Sequence, residues 1–246
     1  MRYLVLADLH SNLEALETVL ERARGLGYDR ILVLGDIVGY GADPNAVIET
    51  LRRQPQVTAI RGNHDRVAAG LDEPDDFNEA ARAAARWTRS ALGEESRAFL
   101  RALPRGPLEF APGRLLVHGS PLDEDQYLLD EGAARRCFAE VPFDLCFFGH
   151  THHPCRFTMQ EGRVTLQAAR GERTELVLEP GRRHLINPGS LGQPRDRSPL
   201  CSFALYDEAA ATVTIHRIVY PLETTRAKIL SAGLPPALGE RLRLGV

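Results

Sequence analysis

The sequence predicts an α/β fold: a parallel sheet built from strand-helix repeats, with a second, strand-rich sheet following it. Residues 1–60 alternate short apolar runs with helical periodicity, and after Gly149 the pattern turns to short strands separated by turns. The 246 residues, 43% hydrophobic and 26% charged, have an ordinary globular composition, so a single domain over 1–246 is expected.

Arg2–Ala7 is an apolar run of strand length. Ser11-Asn12-Leu13-Glu14 has the Ser-x-x-Glu form of a capping box and opens a helix with Leu13, Leu16, Val19 and Leu20 on its apolar face. Arg30–Leu34 is the second strand, ended by Gly35; Pro44 suits a first helical position ahead of Val47, Ile48 and Leu51; Gln56–Ile60 is the third strand. This β-α-β-α-β order predicts parallel strands with right-handed crossovers. Residues 67–112 change character. Ala80–Arg101 has a helical rhythm through Ala84, Trp87, Ala91 and Phe99, and its place between two strands predicts a helical cap that shapes a substrate mouth, the alternative being a helix that only covers the sheet. Strands resume at Arg114–Val117 and Asp144–Phe148, with a helix near Asp130–Phe138 between them. Beyond them come Cys155–Met159, a Glu161-Gly162 hairpin turn, Arg163–Ala168, Thr174–Leu178, His184–Ile186, Cys201–Leu205 and Thr212–Ile218. Short antiparallel strands after βαβ units predict a second sheet packed on the first. The tail, 222–246, reads as helix broken at Pro235-Pro236.

Several function classes drop out. Apolar stretches such as Tyr3–Ala7 and Leu145–Phe148 fall far short of the about 20 residues of a membrane helix. Asp8 interrupts the first run too early for a signal peptide, so a cytoplasmic location and no membrane partner are expected. With 30 basic against 33 acidic residues, no basic stripe marks a nucleic-acid binder. Lys228 is the only lysine, so there is no Gly-Lys pair and no Walker phosphate loop; the arginines suit bidentate phosphate contacts but also follow from genomic base composition. Cys137, Cys146, Cys155 and Cys201 contain no CxxC pair, which excludes zinc-ribbon spacing and predicts buried, reduced thiols.

The residues that follow the apolar runs carry the chemistry. The first run ends in Asp8-Leu9-His10, the second in Gly35-Asp36, the third in Gly62-Asn63-His64-Asp65, the fourth in His118-Gly119 and the fifth in Gly149-His150-Thr151-His152. In open α/β sheets ligands bind beyond the carboxyl ends of the strands, and here five strands in turn deliver Asp, His or Asn to one such edge. A mixed set of imidazoles and carboxylates suits borderline divalent metals such as Mn²⁺, Fe²⁺ and Zn²⁺. Strand alternation would point Asp8 with His10, and His150 with His152, about 6.6 Å apart along the chain, a span that suits two ions. It would turn His64 away from whatever Asn63 binds, and His153 away from His152. Two divalent ions, the carboxylates Asp8 and Asp36 and one hydroxide sum to a small positive charge, which draws in a phosphate anion without trapping it.

In order, Asp8-x-His10, Gly35-Asp36, Gly62-Asn63-His64-Asp65, His118 and Gly149-His150-Thr151-His152 resemble the motif set of the calcineurin-like metallophosphoesterases. Asn187-Pro188-Gly189-Ser190-Leu191-Gly192-Gln193-Pro194-Arg195 is similar to their small bacterial and archaeal phosphodiesterase branch, which includes a dinucleoside polyphosphate hydrolase. The resemblance implies a four-layer α/β/β/α sandwich of two mixed sheets with flanking helices. It implies a phosphoesterase that hydrolyses a small phosphodiester or dinucleoside polyphosphate by in-line attack of a hydroxide bridging two divalent ions. Manganese is the first expectation, with iron, zinc or nickel as alternatives. Asp8, His10, Asp36 and His152 would hold the first ion. Asp36, Asn63, His118 and His150 would hold the second, with Asp36 bridging. His64 would face the substrate as the catalytic residue, protonating the leaving oxygen or stabilising charge on it.

One departure matters. Where Ser/Thr protein phosphatases of this superfamily carry Gly-Asp-x-Val-Asp-Arg-Gly, the chain has Gly35-Asp36-Ile37-Val38-Gly39-Tyr40-Gly41. The Asp that would orient the catalytic His and the Arg that would bind phosphate are both missing, which leaves Asp43 and Asp65 as candidates for the first role. Phosphomonoesterase and phosphoprotein phosphatase stay as alternatives. So does a non-catalytic scaffold of the same fold, although every ligand position and His64 are filled. A nuclease is disfavoured by the acidic balance. Arg61 and Arg66 flank the third motif as possible phosphate contacts, and Ser120, Pro121 and Tyr127 follow His118 as weaker pocket candidates. Gly39-Tyr40-Gly41 is not GxGxxG, Ser190 does not sit in GxSxG, and Asn187–Ser190 reads as a turn beneath the site.

Overall fold

In strand β1 (Arg2–Leu6) Tyr3 and Val5 leave one face and Leu4 and Leu6 the other, and all four are buried, so the strand is covered on both sides. The same alternation in β2 (Arg30–Val33) sends Ile31 and Val33 one way and Leu32 the other. In the computed structural model, which describes residues 1–246, this two-sided burial becomes a stack of layers. Leu4, Leu6, Ile31 and Val33 pack under α1 (Leu13–Leu26) and α2 (Pro44–Arg52) through Leu16, Val19, Val47 and Ile48. Tyr3, Val5 and Leu32 face a second sheet through Leu116, Leu145, Phe147 and Ile186. The far side of that sheet, with Cys146, Phe148 and Leu185, packs on α6 (Glu131–Glu140) through Ala134, Cys137 and Phe138. The architecture is therefore the expected α/β/β/α sandwich.

Each sheet has six strands. The first runs β3 (Val57–Ala59), β2, β1, β11 (Cys201–Asp207), β12 (Thr212–Ile218), β9 (Arg173–Val177); β1, β2 and β3 are parallel and the rest antiparallel. The second runs β4 (Leu108–Ala111), β5 (Arg114–Leu116), β6 (Leu145–Phe147), β10 (Arg183–Asn187), β7 (Cys155–Gln160), β8 (Arg163–Ala168), with β5, β6 and β10 parallel.

This corrects two expectations. The late strands do not form one sheet, because β9, β11 and β12 complete the first and β7, β8 and β10 the second. The five motif-bearing strands likewise divide, β1, β2 and β3 in one sheet and β5 and β6 in the other. The motifs therefore meet across the ends of two sheets rather than along one edge. In the 67–112 segment, α4 (Glu79–Ala91) and α5 (Glu94–Ala102) are helical, but Leu108–Ala111 is β4, so the helical part stops short of 112. The short α3 (Asn63–Ala68) precedes them. The tail forms α7 (Leu222–Ser231) and α8 (Pro236–Leu244), broken at the prolines and packed with α4 around Tyr40. Asn12, not Ser11, caps α1, accepting from the Ala15 amide, while Ser11 Oγ accepts from the Gly39 amide.

Candidate metal centre

The loops after β1, β2 and β6 turn sharply through residues that are not glycine. Asp8 (φ +53°), His10 (+48°), Asp36 (+50°), His150 (+64°) and His152 (+60°) all occupy the left-handed region. Each such residue costs on the order of 1–3 kcal/mol and persists only where its surroundings dictate it. Backbone bonds between the loops do so here: the His10 amide donates to Asp36 O at 2.9 Å, Gly192 N to Asp8 O at 2.9 Å and Gly149 N to His118 O at 2.8 Å. The loop from β3 approaches closely, and a β-carbon at Gly62 would overlap Asp36 Oδ1.

These turns bring the predicted residues together as two groups sharing Asp36. Asp8, His10, Asp36 and His152 offer ligand atoms within 4.8 Å of one another, as do Asp36, His118 and His150, and all are buried. Asn63 joins the second group, its Oδ1 lying 3.0 Å from His118 Nε2.

Backbone carbonyls fix the tautomers. His10 Nδ1 donates to Val38 O, His118 Nδ1 to Leu34 O and His152 Nδ1 to Gln193 O, so in the neutral ring each Nε2 carries a lone pair. His150 is reversed: Nε2 donates to Asp125 O, leaving the lone pair on Nδ1. As a result, with every ring neutral, His10 Nε2 faces His152 Nε2 at 3.1 Å and His118 Nε2 faces His150 Nδ1 at 3.1 Å, lone pair against lone pair; a proton on His118 Nε2 turns the second contact into a hydrogen bond. Asp8 Oδ2 is buried with no partner. Buried acceptors facing one another repel unless something positive sits among them. The donor set therefore fits cations, one for each group.

The electrostatics agree. Burial pushes the Asp8 carboxyl up to about 7 and the His150 ring down to about 3. His118 goes the other way: burial opposes its charge, but Asp36, with Nε2 and Oδ2 at 3.4 Å, lifts it to about 10. Positive charge is attracted to that nitrogen, and a proton and a metal compete for it.

His64 lies at the edge of the cluster. It follows Asn63 in the first turn of α3, so a helical offset and not strand alternation separates the two. Its amide donates to Asp36 Oδ1 at 2.9 Å, and its ring packs on Tyr40 (4.5 Å), Phe77 (4.5 Å) and His10 (5.0 Å). Burial pushes its pKa down to about 4. Neither proposed orienting carboxylate reaches it. Asp65 accepts from the Gly62 and Val38 amides, and Asp43 pairs with Lys228. His64 Nδ1 has no partner at all and abuts Gly39.

Other expectations shift as well. Residues 8–10 and 150–152 are not extended, so strand alternation does not govern their directions; His150 and His152 fall in different groups. Arg61 and Arg66 are tied to Glu124, and Arg66 also to Asp72 and Asp125. Ser120 Oγ donates to Gln126 Oε1 and accepts from the Leu122 and Asp123 amides, holding its own loop, whereas the Tyr127 ring packs on His150 at 3.9 Å. Ser190 Oγ donates to Asp8 O and Asn187 Nδ2 to Gly149 O, a turn beneath the cluster. Sequence reasoning did not single out Tyr40, Phe77, Gln193 or Arg195 as pocket residues. For the last two the only signal was their place in the Asn187–Arg195 motif.

The family model for the calcineurin-like phosphoesterase superfamily domain matches residues 1–210. The uncharacterized protein MJ0912 of Methanocaldococcus jannaschii is 36% identical over 98% of the chain and 97% of its own length. A metallophosphoesterase structure from Sphaerobacter thermophilus aligns with a TM-score of 0.88 at 38% identity, covering 100% of this chain and 99% of that one. The hypothetical protein PH1004 of Pyrococcus horikoshii shares the fold, with a TM-score of 0.82 at 22% identity over 100% and 98% of the two chains.

Proposed function

We propose that this chain, which belongs to the calcineurin-like phosphoesterase superfamily and is a metal-dependent phosphoric ester hydrolase, cleaves a small phosphodiester or a dinucleoside polyphosphate. The observation that carries the reading is the two pairs of opposed imidazoles, His10 with His152 and His118 with His150, flanking the shared Asp36. Asp8, His10, Asp36 and His152 would hold one ion. Asp36, Asn63, His118 and His150 would hold the other, with manganese the first choice for both. When bound, such a pair supplies Lewis-acid polarisation of a phosphoryl oxygen and activation of water for attack.

The protein's own part is positioning. The carbonyls of Val38, Leu34 and Gln193 aim the histidine lone pairs, and the left-handed turns hold the carboxylates in place before substrate arrives. His64 faces the substrate. A buried, unpaired N–H costs more than an unpaired lone pair, and Nδ1 has no acceptor, so the ring proton belongs on Nε2. From there it hydrogen-bonds to the leaving oxygen and stabilises the charge that develops on it. Gly39 and Tyr40 replace the Asp and Arg of the protein phosphatases, which favours a small substrate over a phosphoprotein. Residues 67–112 frame the mouth, with Phe77 against His64. We read 1–246 as one domain and, from four free buried cysteines, as a protein of a reducing compartment, the cytoplasm.

The test is a substrate panel of aryl mono- and diesters, dinucleoside polyphosphates, cyclic nucleotides and phosphopeptides. Each is assayed with Mn²⁺, Fe²⁺, Zn²⁺, Ni²⁺ and Mg²⁺ in turn. Turnover highest on a diester or dinucleoside polyphosphate is expected; a preference for monoesters or phosphopeptides would refute the reading.

A further inference from the structure

We propose that the cleft beside the metal-ligand cluster is a second subsite, which takes the nucleoside polyphosphate attached to the phosphorus under attack; this rests on the phosphoesterase reading above. The cleft measures about 710 Å³, within the roughly 300–1,000 Å³ of small-molecule sites. No residue of the cluster lines it; the link between the two is Arg195 on its wall, whose Nη2 lies 3.3 Å from the hydroxyl of Tyr40, the ring packed on His10 and His64. Thr151 and His153, the neighbours of His152, lie on its wall, and Gln193, whose carbonyl accepts from His152 Nδ1, stands two residues before Arg195 on the same wall.

Three of its arginines are uncommitted. Arg170, Arg195 and Arg197 line the cleft without a carboxylate partner, whereas Arg217 is paired with Asp196. Arg195 makes only long contacts, Nη2 to the Tyr40 hydroxyl at 3.3 Å and to Gln193 Oε1 at 3.5 Å, and its Nε is buried with no acceptor. On the other flank of the cluster Arg61 and Arg66 are neutralised by Glu124, so free positive charge is concentrated here. Guanidinium groups of this kind bind phosphate oxygens in bidentate fashion. A simple diester carries a single negative charge; three free guanidiniums call for more.

The remaining lining is apolar. Leu129 and Leu166 expose 60% and 43% of their surface beside the buried Phe157. A group with several negative charges and a planar, weakly polar ring satisfies both halves. The phosphates meet the guanidiniums while the base covers the leucines and stacks on an arginine plane. Among the substrates allowed above, this selects the dinucleoside polyphosphate.

Isothermal titration calorimetry on the manganese-loaded full chain tests the subsite, with adenosine diphosphate and inorganic phosphate as probes. The proteins are wild type, Arg170→Glu/Arg197→Glu and, as an independent change to the apolar wall, Leu129→Asp; all three side chains are exposed, so folding is not at risk. Wild type should bind the nucleotide about tenfold or more tighter than phosphate. Each variant should lose about fivefold or more in nucleotide affinity, and less in phosphate affinity. Equal affinity of wild type for the two probes, or nucleotide affinity within about twofold of wild type in both variants, overturns the subsite. Turnover of bis(p-nitrophenyl) phosphate by the same wild-type preparation separates the two readings. No turnover with any metal overturns the phosphoesterase reading, and turnover with negative calorimetry overturns the subsite alone.

Discussion

Replacing Gly39 with alanine probes how His64 is held. A β-carbon there would stand 2.6 Å from His64 Nδ1 and 3.0 Å from Cγ, where ordinary contact begins at 3.4 Å. The imidazole must give way by about 0.8 Å, yet it is packed on Tyr40 and Phe77 with ring centroids 4.5 Å away on each. A displacement approaching 1 Å in a catalytic group costs about 10²-fold in rate. Gly39 also has φ +106°, where a β-carbon adds on the order of 1–2 kcal/mol of strain. For a chain of this size that lowers the melting temperature by roughly 2–8 °C. Gly39→Ala should therefore keep its metal by elemental analysis, melt slightly lower, and lose about two orders of magnitude in kcat on an aryl phosphodiester. The double variant with His64→Ala distinguishes mechanism from general damage, because once the imidazole is gone the Gly39 change should cost little further turnover. A Gly39→Ala enzyme with kcat within about twofold of wild type, or one whose loss simply multiplies with that of His64→Ala, would refute this account of how His64 is positioned.

Three further outcomes follow from the same geometry. Asp36→Asn removes the carboxylate common to both donor groups, so elemental analysis should find both ions depleted; two tightly held ions per chain would disprove the sharing. Phe77→Ala removes one of the two rings packed on His64 and opens the edge of the 67–112 segment. Substrate preference across the panel should move more than metal affinity, and an unchanged preference would make the segment mere packing. Glu124 is opposed by burial but held below the usual carboxylate range by Arg61, Arg66 and Arg105. Its contribution is complete above the ordinary glutamate pKa of about 4.3 and disappears as pH falls through its lower native value. Glu124→Gln should thus cost roughly 1–3 kcal/mol by urea unfolding at pH 7 and progressively less as the pH falls below about 4.3, and a cost that stays constant over that fall would contradict the pairing.

Much of this was legible in the sequence, and the parts that were not have physical reasons. Continuous apolar runs in Arg2–Leu6 and Arg30–Val33, and helical periodicity in Leu13–Leu26, are local signals, and they placed the first layers. Which sheet a short late strand joins depends on its non-local partner, Thr212–His216 for Arg173–Val177 but Leu145–Phe147 and Cys155–Met159 for Arg183–Asn187, and no local pattern names that partner. Thus Arg173–Val177 and Arg183–Asn187, close in sequence, end in different sheets. The ligand types stood out because Asp, His and Asn after successive apolar runs are rare by chance. Their orientation did not, because alternation assumes extended backbone, and Asp8, His10, His150 and His152 turn through the left-handed region. His64 was placed beside the cluster by its motif. The aromatic seat formed by Tyr40 and Phe77 was invisible, since it joins a loop to a distant segment before α4 through shape alone.

The most direct measurement is anomalous diffraction at the manganese edge from crystals grown with excess Mn²⁺. The account predicts two peaks about 3.5–4 Å apart. One should lie among Asp8, His10, Asp36 and His152, the other among Asp36, Asn63, His118 and His150, with an Asp36 oxygen reaching both. A map with no peak in either group, or a single ion that leaves the His118 and His150 nitrogens facing each other without a cation, would contradict it.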